Sequence, residues 1–315
     1  MNKLVASLVA AAALFTSPVF AADMMPVKAR TAPAAPASPW DVAFGAALMS
    51  DYNFRGISQS DRGASVTAYS ELRYNASDSL QFYIASQYWA VDLPTHPSCE
   101  CDFFGGVRPT FGALAFDFGA IYYAYPRERQ VFLTLIGSPT FVNTGAIWTK
   151  ADTDFWEVYG KVTWDVVKDK FAVGAAVYYS PDWLNTGADG TFAVVNAKVT
   201  MPSFNMPLLG RMKEIGWFIS GEVGHYWLGT SDAILGLVDY PDYTTWNVGV
   251  AFTSGVFTLD LRYFDTDLTK QECFAVTGDL RGLTGGTNPL GQSKWCNPTF
   301  IATAKFDLVA SKDLK

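Results

Sequence analysis

The sequence predicts an all-β protein, a transmembrane antiparallel up-and-down β-barrel of about twelve strands. Three observations predict it. Apolar and polar residues alternate with a period of two over many successive segments, which sends neighbouring side chains to opposite faces of a strand. No apolar run after the first residues approaches the ~18 that a membrane-spanning helix needs. Every second connection between the alternating segments is short, residues 202–214 excepted. Inside hydrocarbon only helices and closed barrels satisfy all backbone groups. An exported chain of long alternating strands without a helical span is therefore expected to close on itself. A soluble β-sandwich is the competing architecture.

Export is read from the first residues. Lys3 precedes an apolar run over residues 4–15, and Ser17-Pro18-Val19-Phe20-Ala21-Ala22 follows as a cleavage region, with the cut after Ala21 or after Ala22. Residues 1–21 are thus expected to be a signal peptide, residues 22–39 an Ala/Pro-rich disordered leader, and residues 40–315 the barrel. Of the 315 residues 50% are hydrophobic and 15% aromatic, while only 17% are charged, below the usual quarter. The net charge of -7 opposes a nucleic-acid partner.

The first hairpin spans residues 42–75. Its first limb carries Val42, Phe44, Ala46, Leu48, Tyr52 and Phe54 on one face, with Asp51 and Arg55 on the other. Its second limb sets Val66, Ala68, Leu72 and Tyr74 against Glu71 and Arg73. A polar, Gly-containing turn separates the limbs. A third strand alternates through Leu80, Phe82, Ile84 and Tyr88. The fourth, over residues 101–108, has the weakest pattern, and residues 109–113 read as a turn. The fifth runs through Leu114, Phe116, Phe118, Ala120 and Tyr122. Residues 125–153 are too apolar for a plain solvated loop and are expected to fold into or across the barrel mouth.

The sixth strand alternates through Trp156, Val158, Val162 and Trp164, and the seventh through Phe171, Val173, Ala175, Val177 and Tyr179. The eighth runs over residues 191–201. A connector of moderate length, residues 202–214, leads to the ninth, which carries Ile215, Trp217, Ile219, Val223, His225 and Trp227. The tenth contains Trp246, Val248 and Val250. Ser254-Gly255 turns into the eleventh, with Phe257, Leu259, Leu261 and Tyr263. Residues 265–297 form a long loop rich in Gly and Thr, and the last strand carries Phe300, Ala302, Ala304, Phe306 and Leu308. Short turns at one end and long loops at the other are the pattern of an outer-membrane barrel. The aromatics sort by height along the apolar face. Tyr52, Phe54, Tyr88, Tyr122 and Trp156 fall near the long loops, and Tyr74, Phe82, Trp164 and Trp217 near the short turns, as two interfacial girdles would.

The opposite faces carry the charges. Asp51, Arg55, Glu71, Arg73, Glu157, Lys161, Glu222 and Arg262 are expected to line the lumen, with Lys198, Asp260 and Lys305 beside them. Asp51 and Arg55 would face Glu71 and Arg73 across the first hairpin. Such a cluster is either a charged constriction that sets ion preference or a network of pairs that fills and stiffens the interior. Both signs are mixed, so no selectivity follows.

Four cysteines, Cys99, Cys101, Cys273 and Cys296, fall in or beside the long connections. With His96, Cys99-x-Cys101 has the look of a metal site. An even count in an exported chain points instead to disulfides, and three pairings are open. A Cys273–Cys296 bridge would close the last loop. Of the two histidines, His96 lies in a loop and His225 on the outward face. No nucleophile is placed beside a positioned base, so no enzyme, cofactor or metal centre is expected.

The run Ser50-Asp51-Tyr52-Asn53-Phe54-Arg55-Gly56-Ile57-Ser58-Gln59-Ser60 resembles the signature of the TorF-like porin family, conserved hypothetical outer-membrane β-barrel proteins of bacteria. The resemblance covers the first hairpin closely and the strands up to about Tyr123 loosely, and resumes towards the C-terminus. It implies a porin-like channel in the bacterial outer membrane for passive diffusion of small polar solutes or ions. Its partners would be outer-membrane lipid, lipopolysaccharide and those solutes. The alternative is a closed barrel whose external loops bind a ligand or partner. Such barrels usually finish on a terminal aromatic; here Phe306-Asp307-Leu308 is followed by VASKDLK.

Overall fold

The computed structural model describes residues 38–133, 146–208, 211–282 and 291–314. The expected signal peptide and all but the last two residues of the expected leader lie outside the described residues. From Trp40 the chain forms one closed antiparallel barrel of twelve strands. In chain order the strands are β1 (Trp40–Met49), the short pair β2 (Asn53–Phe54) and β3 (Ile57–Ser58), β4 (Ser65–Ser77), β5 (Leu80–Trp89), β6 (Glu100–Phe111), β7 (Leu114–Ala124), the short pair β8 (Val131–Leu133) and β9 (Ala146–Thr149), β10 (Phe155–Val167), β11 (Phe171–Ser180), β12 (Gly190–Leu208), β13 (Arg211–Leu228), β14 (Tyr243–Ser254), β15 (Phe257–Thr266) and β16 (Thr299–Val309). Each barrel strand pairs with its neighbours in sequence, and β1 pairs with β16 to close the ring, Phe44 opposite Leu308 and Leu48 opposite Ala304. The pairs β2–β3 and β8–β9 are separate two-stranded sheets, not members of the ring.

The alternation sorts the side chains as the period demands. Leu48, Leu72, Ile84, Val158 and Ile219 are exposed on the outer wall, while Met49, Glu71, Tyr83, Glu157 and Ser220, their neighbours in the pattern, are buried. A large apolar surface facing outward all round a closed barrel is the inverse of a sandwich, whose apolar faces meet in a shared core.

Several elements differ from the sequence reading. The first strand ends at Met49; residues 50–64 leave the wall and fold inward, carrying β2 and β3. The turn expected at residues 109–113 is shorter, because β6 continues to Phe111 and β7 starts at Leu114. The connector over residues 202–214 is a continuation of β12 and β13, whose pairing runs on to Leu208 opposite Arg211 past a bulge between Met201 and Phe204. With that change every connection on that end of the barrel is short. The last long loop contains a helix, α1 (Lys270–Thr277), started by a capping box between Thr269 and Glu272 and stopped at Gly278 in the left-handed conformation. Of the segment expected to cross the mouth, residues 134–145 lie outside the described residues.

After β16 the chain makes a short helix, α2 (Ala310–Asp313). Ser311 donates from its backbone N–H and its hydroxyl to the Asp41 carboxylate at 3.0 and 2.6 Å, tying the end of the last strand to the start of the first.

Candidate functional site: the barrel interior

The long-loop half of the interior is filled by residues 50–64. Asp51 anchors this segment by accepting from the Ser58 and Ser60 hydroxyls at 2.6 and 3.0 Å, and Ser60 Oγ also accepts from the Tyr52 N–H at 2.9 Å. Burial pushes the Asp51 carboxyl above its ordinary range, against the lowering effect of those hydroxyls and of Arg62. The turn between β2 and β3 places Arg55 and Gly56 at positive φ, 47° and 89°. The Asn53 side-chain oxygen accepts from the Gly56 N–H at 2.9 Å. A Cβ on Gly56 would stand 2.3 Å from Thr266 and 2.5 Å from Thr245, so this position demands glycine on two counts.

At the tip of the turn Arg55 reaches Glu157 on β10 through two parallel hydrogen bonds of 2.7 and 2.8 Å. The rings of Phe54, Tyr178, Phe192 and Tyr226 surround its guanidinium carbon at 4.5–4.9 Å. Tyr123 donates to the same carboxylate at 3.0 Å. A bidentate pair with an extra donor and four ring faces offsets much of the cost of burying two charges, although Arg55 Nε has no hydrogen-bond partner among the described residues.

The inward segment is braced from the last loop. The Ser58 N–H donates to the Trp295 carbonyl at 3.0 Å, Arg62 donates to the Asn297 carbonyl at 2.9 Å, and the Trp295 indole donates to Asp61 at 2.8 Å. Cys296, next to Trp295, is joined to Cys273 of α1, and Cys99 to Cys101. Beside the wall Tyr52 stacks on Trp89, ring centres 4.2 Å apart, and donates to Glu100, which also accepts from Tyr125 at 3.0 Å.

The short-turn half holds a second cluster. Arg108 gives Glu71 two hydrogen bonds of 2.8 and 2.9 Å and Asp117 one of 3.2 Å, with its guanidinium carbon 3.5 Å from the centre of the Tyr83 ring. Arg73 donates to the same Glu71. Across the barrel Arg262 contacts Asp260 at 3.1 Å, Asn247 at 2.6 Å and Ser220 at 2.7 Å, and Asn247 donates to Glu222 at 2.5 Å. Lys161 sits over Tyr159 and Lys198 over Phe218, at 4.3 and 4.1 Å.

The structure therefore puts Glu71, Arg73, Glu157, Lys161, Glu222 and Arg262 on the inner wall and corrects the first pair of the expected set. Asp51 and Arg55 are not wall residues and do not face Glu71 and Arg73. The inward fold carries Arg55 to Glu157, and Arg73 and Glu71 pair with each other. Tyr52 and Phe54, expected in the outer girdle, are inside: Tyr52 is 1% exposed and Phe54 packs against Tyr123 with ring centres 6.0 Å apart. Two features escape the sequence reading. Arg108 lies in the strand with the weakest pattern. The aromatic packing of the long-loop half, Tyr123, Phe155, Tyr178, Phe192 and Tyr226, comes from inward positions of different strands. His225 stays on the outer wall, its Nδ1 2.9 Å from the Thr244 hydroxyl and its ring against Trp227. Among the described residues no group of His, Cys, Asp and Glu has metal-binding geometry.

A family profile described as "Bacterial protein of unknown function (Gcw_chp)" matches residues 33–287. No curated protein matches the chain. Among solved structures it is similar to an outer membrane channel from Pseudomonas putida, at 10% identity over 89% of this chain and 100% of that one, with a TM-score of 0.39. It is also similar to OmpT, an outer membrane protein of Vibrio cholerae (13% identity, 85% and 98% covered, TM-score 0.34), and to LpxR from Salmonella typhimurium (8%, 84% and 99%, TM-score 0.39).

Proposed function

We propose, for a chain that belongs to the Gcw_chp family of bacterial proteins of unknown function, a porin-like role in the outer membrane: passive passage of small polar solutes or ions through a lumen narrowed by its own first loop. The observation that carries this reading is the sidedness of the wall. Leu48, Ile84, Val158 and Ile219 face outward, while Glu71, Arg73, Arg108, Asp117, Lys161 and Lys198 face inward. An apolar exterior fits lipid and a charged interior fits water and polar cargo. Aromatics at both rims, Tyr88 and Trp227 at one and Phe82 and Trp164 at the other, suit the two interfaces, with lipopolysaccharide and phospholipid as the surrounding partners.

The segment over residues 50–64 restricts what passes. Its Arg55–Glu157 bridge and the rings around it occupy the long-loop half, so free diffusion of large solutes is not part of the reading. The mixed signs of the inner wall give no strong ion preference. Transport rather than catalysis suits the interior, because its buried carboxylates are engaged by arginine, tyrosine, serine or, for Asp102, the Trp89 indole, and neither histidine faces inward. The filled mouth also favours a second reading, a closed barrel that binds a partner with its external loops.

Reconstitution in planar bilayers separates the two. The channel reading expects small stepwise conductance from the whole protein and a larger step once residues 51–63 are replaced by a short turn. Silence from both proteins, each shown to be inserted and folded, would overturn it in favour of the loop-binding barrel.

A further inference from the structure

Beneath the inward segment lies a cavity of about 70 Å³ between β16, β1, β4 and β5, roofed by Asp51, Tyr52 and Asn53. Three buried side chains with an unpartnered polar atom line it. Gln87 gives its amide N–H to Thr67 at 3.1 Å, and its carbonyl oxygen has no hydrogen-bond partner among the described residues. The Asn53 oxygen serves the Gly56 N–H, and its NH₂ is unpartnered. Asp51 uses one oxygen for Ser58 and Ser60; the other has no hydrogen bond, and Arg62 lies 3.9 Å from it. These residues are 5%, 2% and 4% exposed. A buried polar group without a partner loses its water and gains nothing in return, and three around one cavity are a demand for a ligand that supplies both donors and acceptors.

The rest of the lining narrows the class. Its surface is mostly apolar, from Met49, Ile301 and the stacked Tyr52 and Trp89. Its charges already face counter-charges, Asp307 with Lys305 at 3.3 Å and Asp51 with Arg62 at 3.9 Å, the latter too far for a hydrogen bond. A charged ligand would have to break those pairs. A neutral solute with hydroxyls along one edge and C–H groups on the other meets both needs: each hydroxyl donates and accepts, and the C–H face packs on the apolar wall. An apolar pocket with a few placed polar groups is the usual form of a small-molecule site. We propose that this cavity is a binding site for a compact, uncharged polyhydroxylated solute, a small polyol. The inference rests on the channel reading for its cargo, yet the site itself needs only the folded barrel.

Saturation-transfer NMR with erythritol on the refolded full-length protein tests it, with butanediol as the probe lacking half of the hydroxyls. Transfer to erythritol is expected from the wild type. It should weaken roughly tenfold in Gln87→Met and in Asp51→Asn, as loss of one buried hydrogen bond predicts. Asp51→Asn keeps an oxygen for Ser58 and Ser60. Gln87→Met leaves the inward segment untouched and decides the matter if the other variant fails to fold. No transfer to erythritol from the wild type, equal transfer from wild type and Gln87→Met, or equal transfer to butanediol would overturn the site and leave water as the occupant. Conductance of the same samples is read separately: binding without conductance sinks the channel and keeps the site, and conductance without binding does the reverse.

Discussion

Arg55 and Glu157 stand 102 residues apart in the chain and meet through a two-bond ion pair inside the barrel, both side chains fully buried. Removing one partner leaves the other charge buried and uncompensated, which costs about 3–5 kcal/mol. Arg55→Ala and Glu157→Leu are each expected to lower stability by that amount in urea unfolding followed by tryptophan fluorescence. The double variant Arg55→Met/Glu157→Met should recover most of the loss. A double variant as unstable as either single change would show that the pair is not what holds the segment.

Gly56 tests the segment without touching a charge. Alanine there meets Thr245 and Thr266 and a backbone at positive φ. Gly56→Ala is expected to displace the turn and enlarge the conductance step, with the β content by circular dichroism unchanged. An unchanged step would mean that the turn does not restrict the passage.

The Cys273–Cys296 bridge closes a loop with a sequence separation of 23. The chain-entropy relation gives about 3 kcal/mol for such a loop. Replacing both cysteines by serine should lower the melting temperature and, because Trp295 braces Ser58, enlarge the conductance step as well. Cys99–Cys101, separated by 2, closes almost no chain, so the matching double serine variant should melt close to the wild type.

Arg108 and Arg73 share Glu71 but are not equivalent. Arg108 adds Asp117 and the Tyr83 face. Arg108→Ala should destabilise by about 3–5 kcal/mol, as loss of a buried multiply bonded charge does. Arg73→Ala leaves Glu71 with the two bonds from Arg108 and should cost less than half as much. Equal costs in the same urea series would contradict the network drawn above.

Ile84, on the outer wall near the middle of β5, reports on the membrane. Ile84→Arg is expected to cost about 2–4 kcal/mol when folding is measured into lipid vesicles, as a charge at the bilayer midplane does, and little in detergent, where the head group finds water. The same small cost in both media would argue that this wall does not face hydrocarbon.

The wall was legible because one rule governs it. Period two with one apolar face locates β4, β5, β7, β10 and β11 within a few residues. It misleads at the first strand, where alternation runs on through Ser50, Tyr52 and Phe54 although the chain has left the sheet. Nothing in a local pattern marks that departure except Gly56, whose positive φ needs a turn. It is weak at β6, where Phe103-Phe104 and Gly105-Gly106 break the alternation and hide Arg108. The helix α1 had a readable signal, the Thr269-x-x-Glu272 box with Gly278 after it, submerged in a loop of Gly and Thr.

The interior was less legible, since its chemistry is long-range. The sequence puts Glu157 on an inner face but cannot say which cation meets it, because that depends on a loop folding inward. The aromatic packing around Arg55 draws Tyr178, Phe192 and Tyr226 from three strands, each an ordinary inward position in its own segment. Alternation separates two faces; it does not say how far across the barrel a side chain will find its neighbour.

The Ser311–Asp41 clasp beside the β1–β16 seam has a consequence for biogenesis. The opening strand has no partner on one side until the final strand is in place, so a partly made chain carries a raw edge. A product clipped before residue 299 would present two such edges, each a template for pairing with another chain. Closure of this barrel is in that sense all or nothing: eleven strands leave two edges bare, and only β16 covers both.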